Sequence, residues 1–187
     1  MSKSEKFKSF CKYFIIFLLI SFIGWVWETI YVSILAGHLV DRGFLFLPTC
    51  PIYGLTILCV YGLIGTPRKP MGLLKHIKNQ YVSITLYIIL CFVLPTLMEF
   101  LVGLFFDKVL GVILWTYSNK PFNIMGYICL QVSLIWCLLI FVVMSTLFPK
   151  LQEWFDKIPS KVASFITFIS IILIIIDFVL STIFCLV

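Results

Sequence analysis

The sequence predicts an all-α integral membrane protein with five transmembrane helices. Hydrophobic residues make up 62% of the 187-residue chain and charged residues only 12%, whereas soluble domains are nearer half apolar. Several apolar runs reach the roughly 20 residues that a helix needs to cross a hydrocarbon core about 30 Å thick. None shows the alternating ten-residue pattern of a transmembrane β-strand, so the spans are predicted to be helices.

The predicted spans form a single membrane domain over residues 1–187. The first contains Trp25, Trp27 and Glu28 and lacks a small-residue cleavage site, so we interpret it as a retained span rather than a signal peptide. The second is short, and residues 44–47 are the stretch that would complete it. The five spans are residues 13–36, 50–65, 82–106, 124–148 and 162–187.

Basic residues predict the orientation of these spans. Of the 14 lysines and arginines, all but Arg42, Lys108 and Lys120 lie in the N-terminal tail or in the connections 66–81 and 149–161. This asymmetry predicts a cytoplasmic N-terminus and an external C-terminus. The net charge of +6 is therefore a topology signal and not an indication of nucleic-acid binding.

Two pairs of spans share a faint internal repeat. Pro51 follows Glu28 by 23 residues, and Pro121 follows Glu99 by 22 residues. In each half, an outgoing span with a carboxylate leads through an external connection to a returning span that begins near a proline. The pattern predicts a 2+2 parallel repeat about an axis along the membrane normal, with the fifth helix as an addition.

Three carboxylates lie inside predicted spans. Glu28, Glu99 and Asp177 fall at one level in the outer half of the membrane when each residue rises about 1.5 Å. A carboxylate that faces lipid is costly, so each is expected to point into the bundle. Arg42, on the connection after the first span, is the nearest cation. For Asp177 we expect an interhelical hydrogen bond.

The connection between the first two spans (DRGFLFLPTCPIYG) carries the candidate site. Pro51 fits the first helical position, which makes Cys50 the cap of the second span. The positive end of that helix would favour a thiolate at Cys50, or an anionic group held by Arg42. Alternatively, Arg42 pairs with Asp41 or Glu28 and Cys50 is inert. The predicted substrate-binding residues are Glu28, Arg42, Cys50, Tyr53, Glu99, Tyr117 and Asn123.

The sequence gives no support to metal or cofactor chemistry. The seven cysteines are scattered, with no C-x-x-C pair and no histidine at metal-ligand spacing. No G-x-x-x-x-G-K-[ST], H-E-x-x-H or G-x-S-x-G motif is present, so ATP hydrolysis within these residues and the commoner hydrolase reactions have no support either. We therefore expect no cofactor and no bound metal.

Residues 149–161 carry an apolar stripe formed by Leu151, Trp154, Phe155 and Ile158, with charges opposite. This pattern predicts an interfacial helix that lies against the lipid bilayer. The alternative is a docking surface for a separate cytoplasmic ATPase.

Short motifs in the first four spans resemble a known family. The residues that carry the resemblance are Gly24, Trp25, Glu28, Arg42, Gly43, Phe44, Leu45, Pro48, Cys50, Pro51, Ile52, Tyr53, Gly54, Glu99, Trp115, Tyr117, Ser118, Asn123, Gly126, Ile128 and Leu130. At these positions the chain is similar to the bacterial ABC-transporter permeases of the CmpB type, over residues 13–148. The most specific part is CPIYG together with RGFL.

The chain departs from the family pattern at four positions. Asp41 replaces an asparagine, Leu47 a glycine, Thr116 an aspartate and Tyr127 an arginine. The last two departures together remove a charge pair, which indicates a divergent member with altered or lost activity.

The resemblance implies a multi-pass transport component of the bacterial plasma membrane. With the predicted residues, it suggests an outward-facing polar pocket for a small or lipid-like anionic substrate, with a separate ATPase or a homo-oligomer completing the machinery. Two other functions stay open. One is an intramembrane enzyme acting on a lipid or thiol, with Cys50 or Glu28 reactive, and the other is a non-transporting immunity or regulatory subunit.

Overall fold

The computed structural model describes residues 2–186, and this part of the chain is mainly helical. The helices are α1 (Lys3–Ala36), α2 (Pro51–Ile64), α3 (Gln80–Phe105), α4 (Leu130–Val142), α5 (Phe148–Phe155) and α6 (Ser160–Leu186). Two short antiparallel hairpins join Gly65–Thr66 (β1) to Lys69–Pro70 (β2) and Asn123–Ile124 (β3) to Ile128–Cys129 (β4). One turn of 3₁₀-helix (Gly72–Leu74) and two π-helical turns (Phe106–Leu110 and Val143–Leu147) complete the regular structure.

Within residues 2–186, four apolar helices are long enough to cross a membrane: Lys3–Ala36, Gln80–Leu110, Leu130–Phe155 and Ser160–Cys185. The predicted all-helical membrane class is therefore confirmed. Helix α2 has 14 residues and is shorter than a full span. Residues 44–47 do not extend it, because residues 43–48 form a series of bends. The count of five spans and the sides of the two termini stay predictions, and so does the single membrane domain.

Two predicted helix starts differ from the observed ones for local reasons. Helix α1 begins at Lys3 instead of residue 13, because Ser2 and Glu5 form a capping box that makes the lysine-rich tail helical. Helix α4 begins at Leu130 instead of residue 124, because the β3–β4 hairpin occupies residues 123–129. Left-handed backbone at Met125 and Gly126 makes that hairpin possible.

The chain packs as two compact units. Unit 1 comprises residues 1–55 and 151–187, and unit 2 comprises residues 56–150. In unit 1, α1 packs against α6. Part of its core is a cluster of the buried residues Cys11, Ile15, Phe155 and Ala163, with Leu19 and Ile158 packed against it.

Part of the apolar stripe of residues 149–161 is buried in this core. Phe155 is 1% exposed, so its side chain does not face lipid or a partner, and Ile158 is partly buried against the same cluster. Trp154 stays 48% exposed. Asp156 is fixed by an ion pair with Lys12 of α1, at 2.9 Å. The prediction of an apolar stripe against the lipid bilayer is therefore wrong for Phe155, and for the rest of the stripe it stays a prediction.

Unit 2 is built on the pairing of α3 with α4. Every fourth residue of α3 is buried, which forms one narrow seam along the helix: Ser83, Tyr87, Cys91, Pro95, Glu99 and Gly103. At one end of the seam, Tyr87 donates a hydrogen bond to the carbonyl oxygen of Gly65 and packs edge-on against Phe141. At the other end, the seam brings Glu99 into the interior of the unit.

We predict that Phe155→Ala lowers the free energy of unfolding by about 3–5 kcal/mol, because it empties the centre of the unit 1 cluster. The neighbouring Trp154→Ala is the matched control, since its side chain is half exposed, and it should change the unfolding free energy by less than about 1 kcal/mol. Denaturant titration of the purified protein in detergent measures both. Equal effects of the two substitutions would contradict the packing of Phe155 described above.

Candidate functional site

Glu28 is the centre of a polar cluster in unit 1, which we call the Glu28 cluster and define as Glu28, Arg42, Cys50 and Tyr53. Arg42 donates to Glu28 Oε1 from Nε at 3.1 Å and from Nη2 at 2.8 Å. On the other carboxylate oxygen, Oε2, Tyr53 donates its hydroxyl at 3.2 Å and the Cys50 thiol lies at 3.7 Å. Both oxygens therefore have donors, and the negative charge is balanced by the guanidinium.

Glycines allow the cluster to form. A Cβ atom on Gly24 of α1 would lie 2.3 Å from Cγ of Tyr53, so the tyrosine ring lies directly on the helix backbone there. A Cβ atom on Gly54 of α2 would lie 2.5 Å from Ser21 Oγ and from Cδ2 of Phe17. Small residues at both positions bring α1 and the start of α2 close together, which carries the Tyr53 hydroxyl to the carboxylate.

The connection between α1 and α2 folds back along the helices of unit 1. Near its start, Asp41 accepts a hydrogen bond from Trp25 Nε1 at 3.0 Å, so Arg42 pairs with Glu28 and not with Asp41. At its end, the backbone N–H of Cys50 donates to the carbonyl oxygen of Ser21 at 3.1 Å. Helix α2 begins at Pro51, as predicted from the fixed φ of proline.

Asp177 of α6 binds the middle of the same connection. It accepts the backbone N–H groups of Phe46 at 3.0 Å and Leu47 at 2.9 Å. The expectation of an interhelical hydrogen bond is therefore wrong, because Asp177 binds the backbone of a loop and, within its own helix, the hydroxyl of Ser181. The backbone N–H groups of an irregular segment have no helix or strand hydrogen bonds, and one carboxylate can accept from two of them at once.

The predicted thiolate at Cys50 has no support from this geometry. Cys50 is 5% exposed and its sulfur lies beside a carboxylate. Burial and a neighbouring negative charge both disfavour the ionised thiol. The cluster thus contains one ion pair, a neutral thiol and a phenol. Within residues 2–186, no group of three His, Cys, Asp or Glu side chains lies together as a metal-binding set.

A second carboxylate and tyrosine pair lies in unit 2. Glu99 is 5% exposed, and its Oε1 accepts the hydroxyl of Tyr117 at 2.8 Å. The pairing parallels that of Glu28 with Tyr53, since in each unit a carboxylate on a long helix meets a tyrosine from the segment that follows. The structure therefore brings four of the predicted site residues together in unit 1 and joins Glu99 to Tyr117 in unit 2.

Asn123 organises the loop that carries Tyr117. Its amide nitrogen donates to the carbonyl oxygens of Lys120, at 2.7 Å, and Ser118, at 3.3 Å. Its side-chain oxygen accepts the N–H of Gly126 at 3.2 Å, and Gly126 in turn accepts the N–H of Tyr117 at 2.7 Å. Asn123 thus fixes the position of Tyr117, and its role as a substrate ligand stays a prediction.

Tyr127 has polar partners of its own at the position where the related family carries an arginine. Its hydroxyl donates to Asp107, which also pairs with Lys108 at 2.9 Å. This hydrogen bond raises the pKa of the Tyr127 hydroxyl, because the neutral donor is stabilised next to a carboxylate. Thr116, where the family carries aspartate, shares a 2.9 Å hydrogen bond with Ser118. The loop therefore keeps polar contacts at both departures from the family pattern.

Sequence reasoning missed the Asp107 contact and the loop contacts of Asp177. Asp107 and Tyr127 lie 20 residues apart, and no period links them. For the Gly24 and Tyr53 contact a signal was available, because Gly24 shares a helix face with Glu28 and a glycine on a polar helix face is typical of close approach.

We predict that Gly24→Ala destabilises the protein by roughly 1–3 kcal/mol, because the new methyl group overlaps the ring of Tyr53. Gly62→Ala is the matched control in α2, since nothing lies within 4 Å of a Cβ atom there. Alanine is the better helix former by about 1 kcal/mol, so this control should be neutral or stabilising. Unfolding curves in detergent compare the two, and a neutral Gly24→Ala would contradict the close contact.

Comparisons with known proteins give one match. The model of a protein family described as "Putative ABC-transporter type IV" (ABC_trans_CmpB) matches residues 15–182. Neither the curated proteins nor the solved structures contain a match to this chain. The matched range includes both carboxylate and tyrosine pairs and extends the similarity inferred from the motifs through most of α6. With nearly its whole length covered by that model, this chain belongs to the ABC_trans_CmpB family of ABC-transporter-type membrane proteins.

Proposed function

We propose that this chain is the membrane subunit of a transporter and that it takes an anionic group of its substrate at the Glu28 cluster. Membership of an ABC-transporter-type family and four helices long enough to span a membrane support a transport component. ATP hydrolysis would be supplied outside these 187 residues, since they contain no phosphate-binding loop.

The ion pair between Glu28 and Arg42 carries the proposal. Charged groups in membrane-spanning segments are costly, and those that occur line polar pathways or pair with one another. The side chains of Glu28 and Arg42 are 25% and 27% exposed, so the pair is reachable. The guanidinium has five N–H donors, of which those on Nε and Nη2 point at one oxygen of Glu28. We assign its remaining edge to an oxyanion of the substrate.

This arrangement suggests exchange of one anion for another. A substrate carboxylate or phosphate that reaches Arg42 competes with Glu28 for the same guanidinium. Glu28 keeps two other donors in Tyr53 and Cys50, so it has partners while Arg42 is occupied. While the substrate anion is bound, the Glu28 carboxylate thus keeps two hydrogen-bond donors, and the net negative charge of the occupied site favours release of the anion. The competing hypothesis of a thiol enzyme has less support, because Cys50 is buried and neutral.

For the ATPase we propose the exposed side of residues 149–161. The half-exposed Trp154 and the neighbouring exposed charges Glu153 and Lys157 remain accessible after Phe155 has packed into unit 1. An exposed tryptophan with charges around it is typical of an interaction anchor.

We expect a P-loop ATPase to co-purify in a fixed ratio when the protein is extracted from its own membrane in native lipid and analysed by native mass spectrometry. Trp154→Ala should lower the yield of that complex by at least about tenfold, the loss of one interface anchor, without changing the stability of the free subunit. Leu134→Ala is the control, since Leu134 is an exposed residue in the middle of α4. If no ATPase accompanies the wild-type chain, the transporter proposal is wrong.

The same extraction tests the site. Arg42→Gln should remove any small anionic mass bound to the wild-type protein, because it deletes the guanidinium that we assign to the substrate. Asp41→Asn should retain that mass, because an asparagine oxygen still accepts from Trp25. Glu28→Gln should retain or strengthen binding, since it removes the competing carboxylate. A bound anion that survives Arg42→Gln unchanged would place the substrate elsewhere.

A further inference from the structure

The carboxylate of Asp177 joins α6 to a loop 130 residues earlier in the chain. It is 6% exposed, and its Oδ1 and Oδ2 accept the backbone N–H groups of Phe46 and Leu47, respectively. Ser181, one turn further along α6, donates its hydroxyl to Oδ1 at 3.4 Å. Asp177 and the Glu28 cluster both lie in unit 1.

Aromatic side chains extend this contact along α6. The ring centroids of Phe44 and Phe178 lie 5.7 Å apart, and those of Phe46 and Phe184 also lie 5.7 Å apart. Phe178 directly follows Asp177, and Phe184 lies two turns beyond it. The middle of the loop is therefore fixed to one helix through both its backbone and its side chains.

The two ends of the same loop carry two members of the Glu28 cluster, Arg42 and Cys50. Arg42 lies four residues before Phe46, and Cys50 lies three residues after Leu47. Between them the backbone is irregular, with a φ of 118° at Gly43, a conformation that side-chain-bearing residues rarely adopt. A segment without helix or strand hydrogen bonds takes its position from its outside contacts. Asp177 supplies two of them at its centre.

We propose that residues 43–49, the part of the loop between Arg42 and Cys50, form a movable gate over the Glu28 cluster and that Asp177 is the latch that holds it closed. The inference rests on the proposed binding of substrate at this cluster. Hydrogen bonds to a carboxylate are stronger than neutral ones, so the closed position is well defined. When the latch opens, both N–H groups need new partners, which water supplies only in the opened state. The gate thus has two discrete positions, and Asp177 is a positioning residue that touches no substrate.

Amide hydrogen exchange in the intact protein tests the latch. Asp177→Asn keeps one acceptor oxygen and replaces the other by an amide NH₂ group, which only donates, and Asp177→Ala removes both. The amides of Phe46 and Leu47 should exchange at least about tenfold faster in Asp177→Asn and faster still in Asp177→Ala. Ser181→Ala, which removes only the supporting hydroxyl, should stay within about threefold of wild type. Thr167→Ala, at another buried polar position of α6, is the control that should change nothing.

Labelling of Cys50 by a maleimide, quantified by peptide mass spectrometry, gives a second measurement. Cys50 is buried and Cys185 is exposed in the same chain, so Cys185 is an internal standard that should react at the same rate in every variant. Opening of the gate should raise the Cys50 rate at least about tenfold in Asp177→Asn. The unfolding temperature of Asp177→Asn should stay close to that of wild type, because the effect is local.

Two results would overturn the latch. One is unchanged exchange at Phe46 and Leu47 together with unchanged Cys50 labelling in Asp177→Asn. The other is faster exchange throughout unit 1 with a lower unfolding temperature, which would make Asp177 a general stability residue. Neither measurement depends on transport. If Arg42→Gln leaves the bound anion in place while Asp177→Asn opens the segment, the proposed substrate site is wrong and the latch stands. If Arg42→Gln removes the anion while Asp177→Asn leaves the segment closed, the substrate site stands and the latch is wrong.

Discussion

The cost of a charged group in a membrane governs the structure of unit 1. Glu28 lies inside the longest apolar helix, and its carboxylate is accommodated because four donor atoms converge on it. Those donors come from the connection after α1 and from the first turn of α2. The chain therefore has to fold back after Ala36 and bring Arg42, Cys50 and Tyr53 to one point. Glycines at positions 24 and 54 permit that approach, since a methyl group at either would overlap its neighbours.

The same requirement explains the loop between α1 and α2. Backbone N–H groups outside a helix need partners wherever water is scarce. In this loop, Asp177 takes two of them and Ser21 takes a third through its carbonyl oxygen. The loop can then be irregular and still have a defined position. An irregular but defined segment next to an ion pair is what a binding site with a moving part needs.

In unit 2, too, a carboxylate accepts a hydrogen bond from a tyrosine on the segment that follows its helix. Glu99 lies in a seam where every fourth side chain of α3 is buried, and Tyr117 reaches it from a loop that Asn123 holds in shape. The two tyrosines occupy different places in the faint sequence repeat, because Tyr53 follows Pro51 whereas Tyr117 precedes Pro121, so the repeat stays a prediction. The halves differ in how each loop is fixed, because Asp177 on α6 performs that role in unit 1 and the loop's own side chains perform it in unit 2.

The sequence by itself determined the helical membrane class, the approximate extent of the long helices, the family and the polar residues of the candidate site. These follow from local signals: the length of the apolar runs, the helical period, a proline at a helix start and short sequence motifs. Only the tertiary structure decided that Arg42 pairs with Glu28, that Asp177 binds loop backbone, that Phe155 is buried and that Tyr127 meets Asp107. Each of these contacts joins residues from segments whose relative position depends on packing, and packing is a property of the folded chain that no local period encodes.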